Sequence, residues 1–186
     1  MKKILAVILT MALVLSLAAC GGTSAPKGEK LSLYEETWEE GGRLNVDFYY
    51  PEDAGIVVEF DEEYPNWAKL NYESKNIQIS PSLFEDTTFD ANKEYSKENE
   101  ETYTEFELKG YNCYAYESFG GYWIYVHLEE VSETTDRYLV IDTSVIDYSK
   151  DYTEGVAHYE DADIKKIIDS FVYNGVVEYP VEEVTE

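Results

Sequence analysis

Hydrophobic and polar positions alternate along much of the chain after residue 43. In the first alternating segment Leu44, Val46 and Phe48 lie on one face and Asn45 and Asp47 on the other, which is the period of a strand with one buried face. Similar segments between turn-forming residues predict further strands over 56–60, 67–72, 76–80, 103–108, 111–119, 122–128, 138–143 and 176–179. The pattern therefore indicates a sheet-rich domain.

One segment near the C-terminus has helical periodicity instead. Its apolar residues recur at the i, i+3, i+4, i+7 spacing of one helix face: Ile164, Ile167, Ile168 and Phe171. This predicts an amphipathic helix over 163–172, with Asp161 or Asp163 as its N-cap. Strands followed by a late helix predict an α+β fold, with a mostly antiparallel sheet and the helix packed on one face.

The remaining segments carry weaker signals. Residues 84–101 have few apolar positions and many charges, so a long loop, a surface helix and a disordered insertion all stay open. Residues 147–159 are polar and tyrosine-rich and are predicted as a loop. We expect a single acidic domain over 31–180 and an acidic tail over 181–186.

A hairpin over residues 111–128 provides the candidate binding residues. With Gly120-Gly121 as a two-residue loop, Phe119 is expected to pair with Tyr122, and Cys113 and Ala115 then face the core. The opposite face carries Tyr114, Tyr116, Trp123, Tyr125 and His127.

Flat rings beside hydroxyl and imidazole groups suit a sugar ring or a peptide, so this face is a candidate ligand site. The alternative is that the C-terminal helix covers the face and makes it a second core layer. We favour that alternative, because the helix must bury its apolar stripe somewhere.

The N-terminus has the features of an export signal. A positive Met1-Lys2-Lys3 precedes an apolar run over 4–19, which is too short for a stable membrane span. The sequence Leu17-Ala18-Ala19-Cys20 resembles the lipobox of bacterial lipoproteins. The resemblance implies that residues 1–19 are a signal peptide and that Cys20 carries the lipid. Residues 20–30 then form a flexible tether, and the protein is anchored on the extracytoplasmic face of the cell membrane.

Charge excludes one class of partner. Without Lys2 and Lys3 the mature chain has 12 basic residues against 39 acidic ones, a formal charge of −27. Such a surface repels nucleic acid, so no nucleic-acid partner is expected. The charge could serve a cationic partner, or it could simply keep an exported domain soluble, and we favour the second reading.

No motif for catalysis, metal binding or cofactor binding is present, so we expect no catalytic residues, no metal and no cofactor. Cys113 and His127 are the one nucleophile and base pair worth testing, and the predicted register puts them on opposite hairpin faces. With Cys20 lipidated, Cys113 is left without a disulfide partner.

The order of elements resembles the PsbP/Mog1-like sandwich of many small lipoproteins. The likeness covers residues 43–180 and rests on the strand end at Tyr50-Pro51, the consecutive hairpins and the late helix. It implies a non-enzymatic binding or assembly module of the cell envelope, with an extracytoplasmic protein or glycan as partner. The alternative is a hydrolase that uses carboxylates on envelope or nutrient polymers.

Overall fold

A computed structural model of the chain describes residues 28–37, 42–60, 63–86, 88–151 and 155–178. The predicted signal peptide, Cys20 and the acidic tail lie outside these residues. The described strands are β1 (Glu29–Glu36), β2 (Arg43–Tyr50), β3 (Ile56–Phe60), β4 (Ala68–Tyr72), β5 (Ile77–Asp86), β6 (Thr104–Leu108), β7 (Tyr111–Ser118), β8 (Gly121–Ser132), β9 (Thr135–Val145) and β10 (Val172–Val177). The described α-helices are α1 (Phe89–Asn99), α2 (Val156–Glu160) and α3 (Ala162–Ile168). Glu29 and Lys30, predicted to end the tether, are the first residues of β1.

The strands form two antiparallel sheets. The larger has seven strands in the order β3-β4-β5-β9-β8-β7-β6, and the smaller has three in the order β1-β2-β10. The predicted α+β class with a mostly antiparallel sheet is therefore confirmed. The more specific resemblance to the PsbP/Mog1-like sandwich stays a prediction.

The main core lies between the small sheet and one face of the large sheet. Phe48 of β2 and Ile124 and Ile141 of the large sheet are fully buried in it. The C-terminal helix α3 adds its apolar stripe to the same core, and the side chain of Asp161 accepts hydrogen bonds from the backbone N–H groups of Asp163 and Ile164. Asp161 is thus the N-cap, as predicted, and Ile164, Ile167 and Ile168 of the predicted stripe lie on α3. The predicted end of the helix at residue 172 was wrong: the helix ends at Ile168, Phe171 is buried just beyond it, and Val172 begins β10, which pairs with β2.

The position of α3 corrects one expectation. We favoured a helix that covers the aromatic face of the hairpin, but α3 packs on the opposite face of the large sheet, in the same core as Phe48. The aromatic face belongs to a second, smaller cluster around Tyr114 and Tyr138. The apolar stripe of α3 is buried against the small sheet, and the sequence pattern does not reveal which sheet the helix packs on.

The second cluster is covered by α1, which lies in the segment that the sequence left open. Phe89 at the start of α1 is buried, and its backbone N–H donates to Asp136 Oδ2 at 2.6 Å. Further along the helix, Lys93 Nζ lies 2.8 Å from Glu105 Oε2 of β6. Helix α2 begins at Val156, inside the predicted loop over 147–159, so that prediction was wrong for residues 156–159.

The hairpin of β7 and β8 has a different register from the predicted one. Ser118 pairs with Gly121, and Phe119 and Gly120 form the two-residue turn with positive φ angles of 52° and 76°. Gly121 is the first residue of β8, and this position requires glycine because a Cβ there would lie 2.7 Å from the Thr143 carbonyl oxygen. The pairing is shifted by two residues, so each side chain keeps its predicted face.

Candidate functional site

The aromatic face of the large sheet places its side chains in rows that run across the strands. In one row Tyr116, Trp123, Asp142 and Ser80 are successive cross-strand partners on β7, β8, β9 and β5. Residues directly opposite each other on neighbouring strands point to the same side of the sheet. Asp142 therefore lies between the indole of Trp123 and the hydroxyl of Ser80.

The next row brings tyrosine rings together. Tyr114 pairs with Tyr125, and their rings stack with centroids 4.6 Å apart and planes only 8° from parallel. Tyr125 also lies 5.9 Å from Tyr116 and 6.5 Å from Tyr138, and Tyr138 stacks on Phe84 at 5.4 Å. The rings thus form a continuous apolar floor across four strands.

Helix α1 covers only part of this floor. Between the helix and the sheet lies a pocket of about 430 Å³ with 13 lining residues, seven of them aromatic. Asn92, Tyr95 and Ser96 come from α1, and Tyr95 is 68% exposed at the rim. Ligand pockets commonly have this volume and this mixture of aromatic walls with a few polar groups.

Asp142 gives the pocket its charge. Among the described lining residues it is the one acidic side chain, and none of them is Lys, Arg or His. Its Oδ1 atom is buried and has no hydrogen-bond partner in the described part of the chain. Burial raises the pKa of this carboxyl to about 6, while the charge of His158 acts in the opposite direction. Asp142 is therefore mostly ionised at neutral pH, at a cost in desolvation.

Tyr114 and Tyr125 remain neutral hydrogen-bonding groups. Burial raises the pKa of each above the ordinary value, so both phenols keep their protons. The hydroxyls of Tyr116 and Tyr125 lie 3.1 Å apart and share a hydrogen bond. Tyr114 is fully buried, and the side chain of Ser96 on α1 is the hydrogen-bonding neighbour of its hydroxyl.

Four of the five candidate residues from the sequence line this pocket: Tyr114, Tyr116, Trp123 and Tyr125. His127 does not, because the ring of Phe89 stacks on its imidazole at 4.8 Å. Its Nε2 lies 3.4 Å from Asp136 Oδ1, so His127 supports the start of α1. His127 lies on the aromatic face and Cys113 on the opposite face, in the main core, although both residues border a second cavity of about 520 Å³ beside Phe89. Burial raises the pKa of the Cys113 thiol to about 12, so it is a poor nucleophile.

Asp142, Ser80 and Tyr138 were missed as site residues. The signal was present on β9, where Tyr138, Val140 and Asp142 alternate with buried aliphatic residues. The sequence does not say that β9 lies between β8 and β5, and this order is what brings Asp142 beside Trp123. Because the chain has 39 acidic residues, the residue type of Asp142 does not mark it as a site residue unless the strand order is known.

Comparison with known proteins gives no match: no protein family, curated protein or solved structure is significantly similar to this chain. Within the described ranges, no helix is long and apolar enough to cross a membrane. The same residues contain no cluster of three His, Cys, Asp or Glu side chains that could hold a metal ion.

Proposed function

We propose that this chain is a lipid-anchored protein on the extracytoplasmic face of the cell membrane, and that it acts as a binding module through the pocket between α1 and the large sheet. The lipobox at Leu17-Ala18-Ala19-Cys20 supports the anchor and its location. The pocket supports the binding role.

The observation that carries the proposal is a partly open aromatic floor beside a carboxylate oxygen without a hydrogen bond. An aromatic layer that serves only as core is normally covered, and its polar atoms are hydrogen-bonded. Here Tyr116, Trp123 and Tyr125 are only half-buried beside a space of about 430 Å³, and Asp142 Oδ1 has no hydrogen-bond partner among the described residues. A ligand in that space would cover the half-buried rings and contact the side chain of Asp142.

The geometry does not favour the alternative of a carboxylate-dependent hydrolase. Glycoside hydrolysis ordinarily uses two carboxylates that flank the bond to be cleaved. In the described lining of the pocket, Asp142 is the one carboxylate, and the neighbouring polar side chains are serines, tyrosines and an asparagine. A single acid beside stacked rings is better suited to holding a ligand than to cleaving it.

Calorimetric titration of the full chain, purified in detergent, tests the proposal. The panel contains neutral oligosaccharides, short neutral peptides and small organic amines. We expect at least one member to bind, and Tyr95→Ala to weaken that binding by about threefold or more through lost contact with the ligand. Tyr64→Ala is the matched control, because Tyr64 is 57% exposed and lies outside the pocket lining. Binding that Tyr95→Ala leaves unchanged, or a panel without any binder, would contradict the proposal.

A further inference from the structure

We infer that the ligand of the pocket is an organic cation, whose ammonium group lies between the carboxylate of Asp142 and the ring of Trp123. This inference rests on the proposed function, because it names the class of ligand for the same pocket. The inference covers both free amines and the side chain of a lysine in a peptide, because both present an ammonium group.

The first argument is the unbalanced charge of Asp142. A partly buried carboxylate is normally paired with a cation or with several hydrogen-bond donors. Asp142 Oδ1 accepts no hydrogen bond within the described residues, and His158, the basic group that acts on this carboxyl, does not line the pocket. An ammonium group would supply the missing charge, whereas a carboxylate or phosphate ligand would be repelled.

The second argument is the ring beside that carboxylate. Trp123 is the direct cross-strand neighbour of Asp142, and Tyr116 is the next residue in the same row. The negative faces of such rings attract cations, and tryptophan does so most strongly. A carboxylate with aromatic neighbours is therefore a better site for an organic ammonium group than for a hard metal ion, which prefers several oxygen ligands.

The third argument is that lysines of the chain contact aromatic rings outside the pocket. Four described lysines lie over aromatic rings, with distances to the ring centroids of 4.0 to 5.7 Å, and those rings belong to Trp67, Tyr72, Tyr159 and Phe171. None of these rings lines the pocket. These four lysines thus do not occupy the rings around Asp142, and the acidic surface of the chain favours the approach of a cation from outside.

The test uses pairs of probes that differ in charge and hardly in shape. Choline is compared with its neutral carbon isostere dimethylbutanol. Spermidine and benzylamine are each compared with the corresponding neutral alcohol, and a short lysine peptide is compared with its Nε-acetylated form. Each is titrated calorimetrically into the full chain in detergent at physiological salt. We expect at least one cation to bind about tenfold or more tightly than its neutral partner. The amine and peptide arms distinguish a free amine from a lysine side chain.

Two variants locate the bound charge. Asp142→Asn is expected to weaken binding of the cation by about tenfold or more, because it removes the one charge in the pocket lining. Asp53→Asn removes the same charge from an exposed position outside the pocket and is expected to leave the affinity unchanged. Equal loss in both variants would mean diffuse attraction to an acidic surface and would overturn the inference.

The remaining outcomes separate this inference from the proposed function. If neutral oligosaccharides or peptides bind, Tyr95→Ala weakens them and no cation binds, the pocket is a binding site and the inference about charge is wrong. If dimethylbutanol and the other neutral partners bind as tightly as the cations, the inference is also wrong. If no probe of any class binds, both proposals fail.

Discussion

Trp123 and Asp142 lie directly opposite each other on β8 and β9, so an indole ring and a carboxylate without a described partner on Oδ1 share one face of the large sheet. Directly opposite side chains on neighbouring strands lie within contact distance. The chain thus places a charge that is costly to bury beside a ring that could stabilise a cation. We therefore expect the ionised Asp142 to destabilise the fold when the pocket is empty and to contribute to affinity when a cation is bound.

The first prediction concerns stability. The pKa of Asp142 is about 6 in the folded protein, above its ordinary value of 3.8. Between these two pH values the folded state binds more protons than the unfolded state, so the free energy of unfolding falls as the pH rises toward 6 and stays low above it. Asp142→Asn removes this penalty. We expect it to stabilise the protein at pH 8 by about 1–2 kcal/mol, after allowance for solvent at the pocket mouth.

Urea unfolding of wild type and Asp142→Asn from pH 4 to pH 8 checks this prediction. The gain is expected to be complete above about pH 7 and to fall to a small remainder at pH 4, where Asp142 is protonated in the folded state and only partly ionised in the unfolded state. Asp53→Asn serves as the control for the change in net charge. A gain of the same size at pH 4 and pH 8 would show that the carboxyl of Asp142 is not the cause.

The second prediction concerns the pH dependence of ligand binding. Protonation of Asp142 removes the charge that the proposed organic cation would contact. Since the pKa is about 6, the ionised fraction falls about tenfold between pH 7 and pH 5, and the affinity for a cation should fall by a similar factor. Calorimetry at both pH values measures the effect, and Asp142→Asn is expected to remove most of the pH dependence.

The third prediction concerns the lipid anchor. If Cys20 carries the lipid, Cys20→Ala should abolish incorporation of labelled palmitate in a bacterial host and release the protein from the membrane fraction. Cys113→Ala is the matched control, because Cys113 is buried in the core and has no role in the anchor. Palmitate labelling of the Cys20→Ala protein, or its retention in washed membranes, would refute the anchor.

Alternation along the sequence was enough to predict the strands and faces of the hairpin. Buried and half-buried positions alternate over 122–128 of β8, whereas residues 113–115 of β7 are all buried. A shift in pairing by two residues leaves every side chain on its predicted face, so the aromatic face stayed intact. The same signal was present in β1, where Leu31 and Leu33 alternate with Ser32, but residues 31–36 were not predicted as a strand. The shift places Phe119 at a positive φ angle in the turn, a conformation that the Gly120-Gly121 pair in the sequence did not indicate.

Helix α1 and Asp142 could not be predicted for a different reason. Only Phe89 and Ser96 of α1 are buried, so the helix has almost no apolar stripe, and it is positioned by the ion pair of Lys93 with Glu105 and by the bond from Phe89 to Asp136. Such contacts join residues far apart in sequence. The pocket exists because α1 covers one part of the aromatic floor and leaves another open, and this follows from the tertiary structure alone.

The last prediction concerns the buried charges at the other end of the same strands. Arg137 is only 2% exposed, and its Nε donates to Glu85 Oε2 at 2.8 Å while its Nη1 donates to Glu129 Oε2 at 2.9 Å. Removing one partner of a buried pair leaves the other charge uncompensated, so Arg137→Met should lower the free energy of unfolding by about 3–5 kcal/mol. Lys69→Met, which breaks the exposed pair with Glu59, should cost less than about 1 kcal/mol. Urea unfolding measures both. The double variant Arg137→Met with Glu85→Leu should recover much of the loss, because neither buried charge remains, and a failure to recover would show that Arg137 stabilises the fold through other contacts.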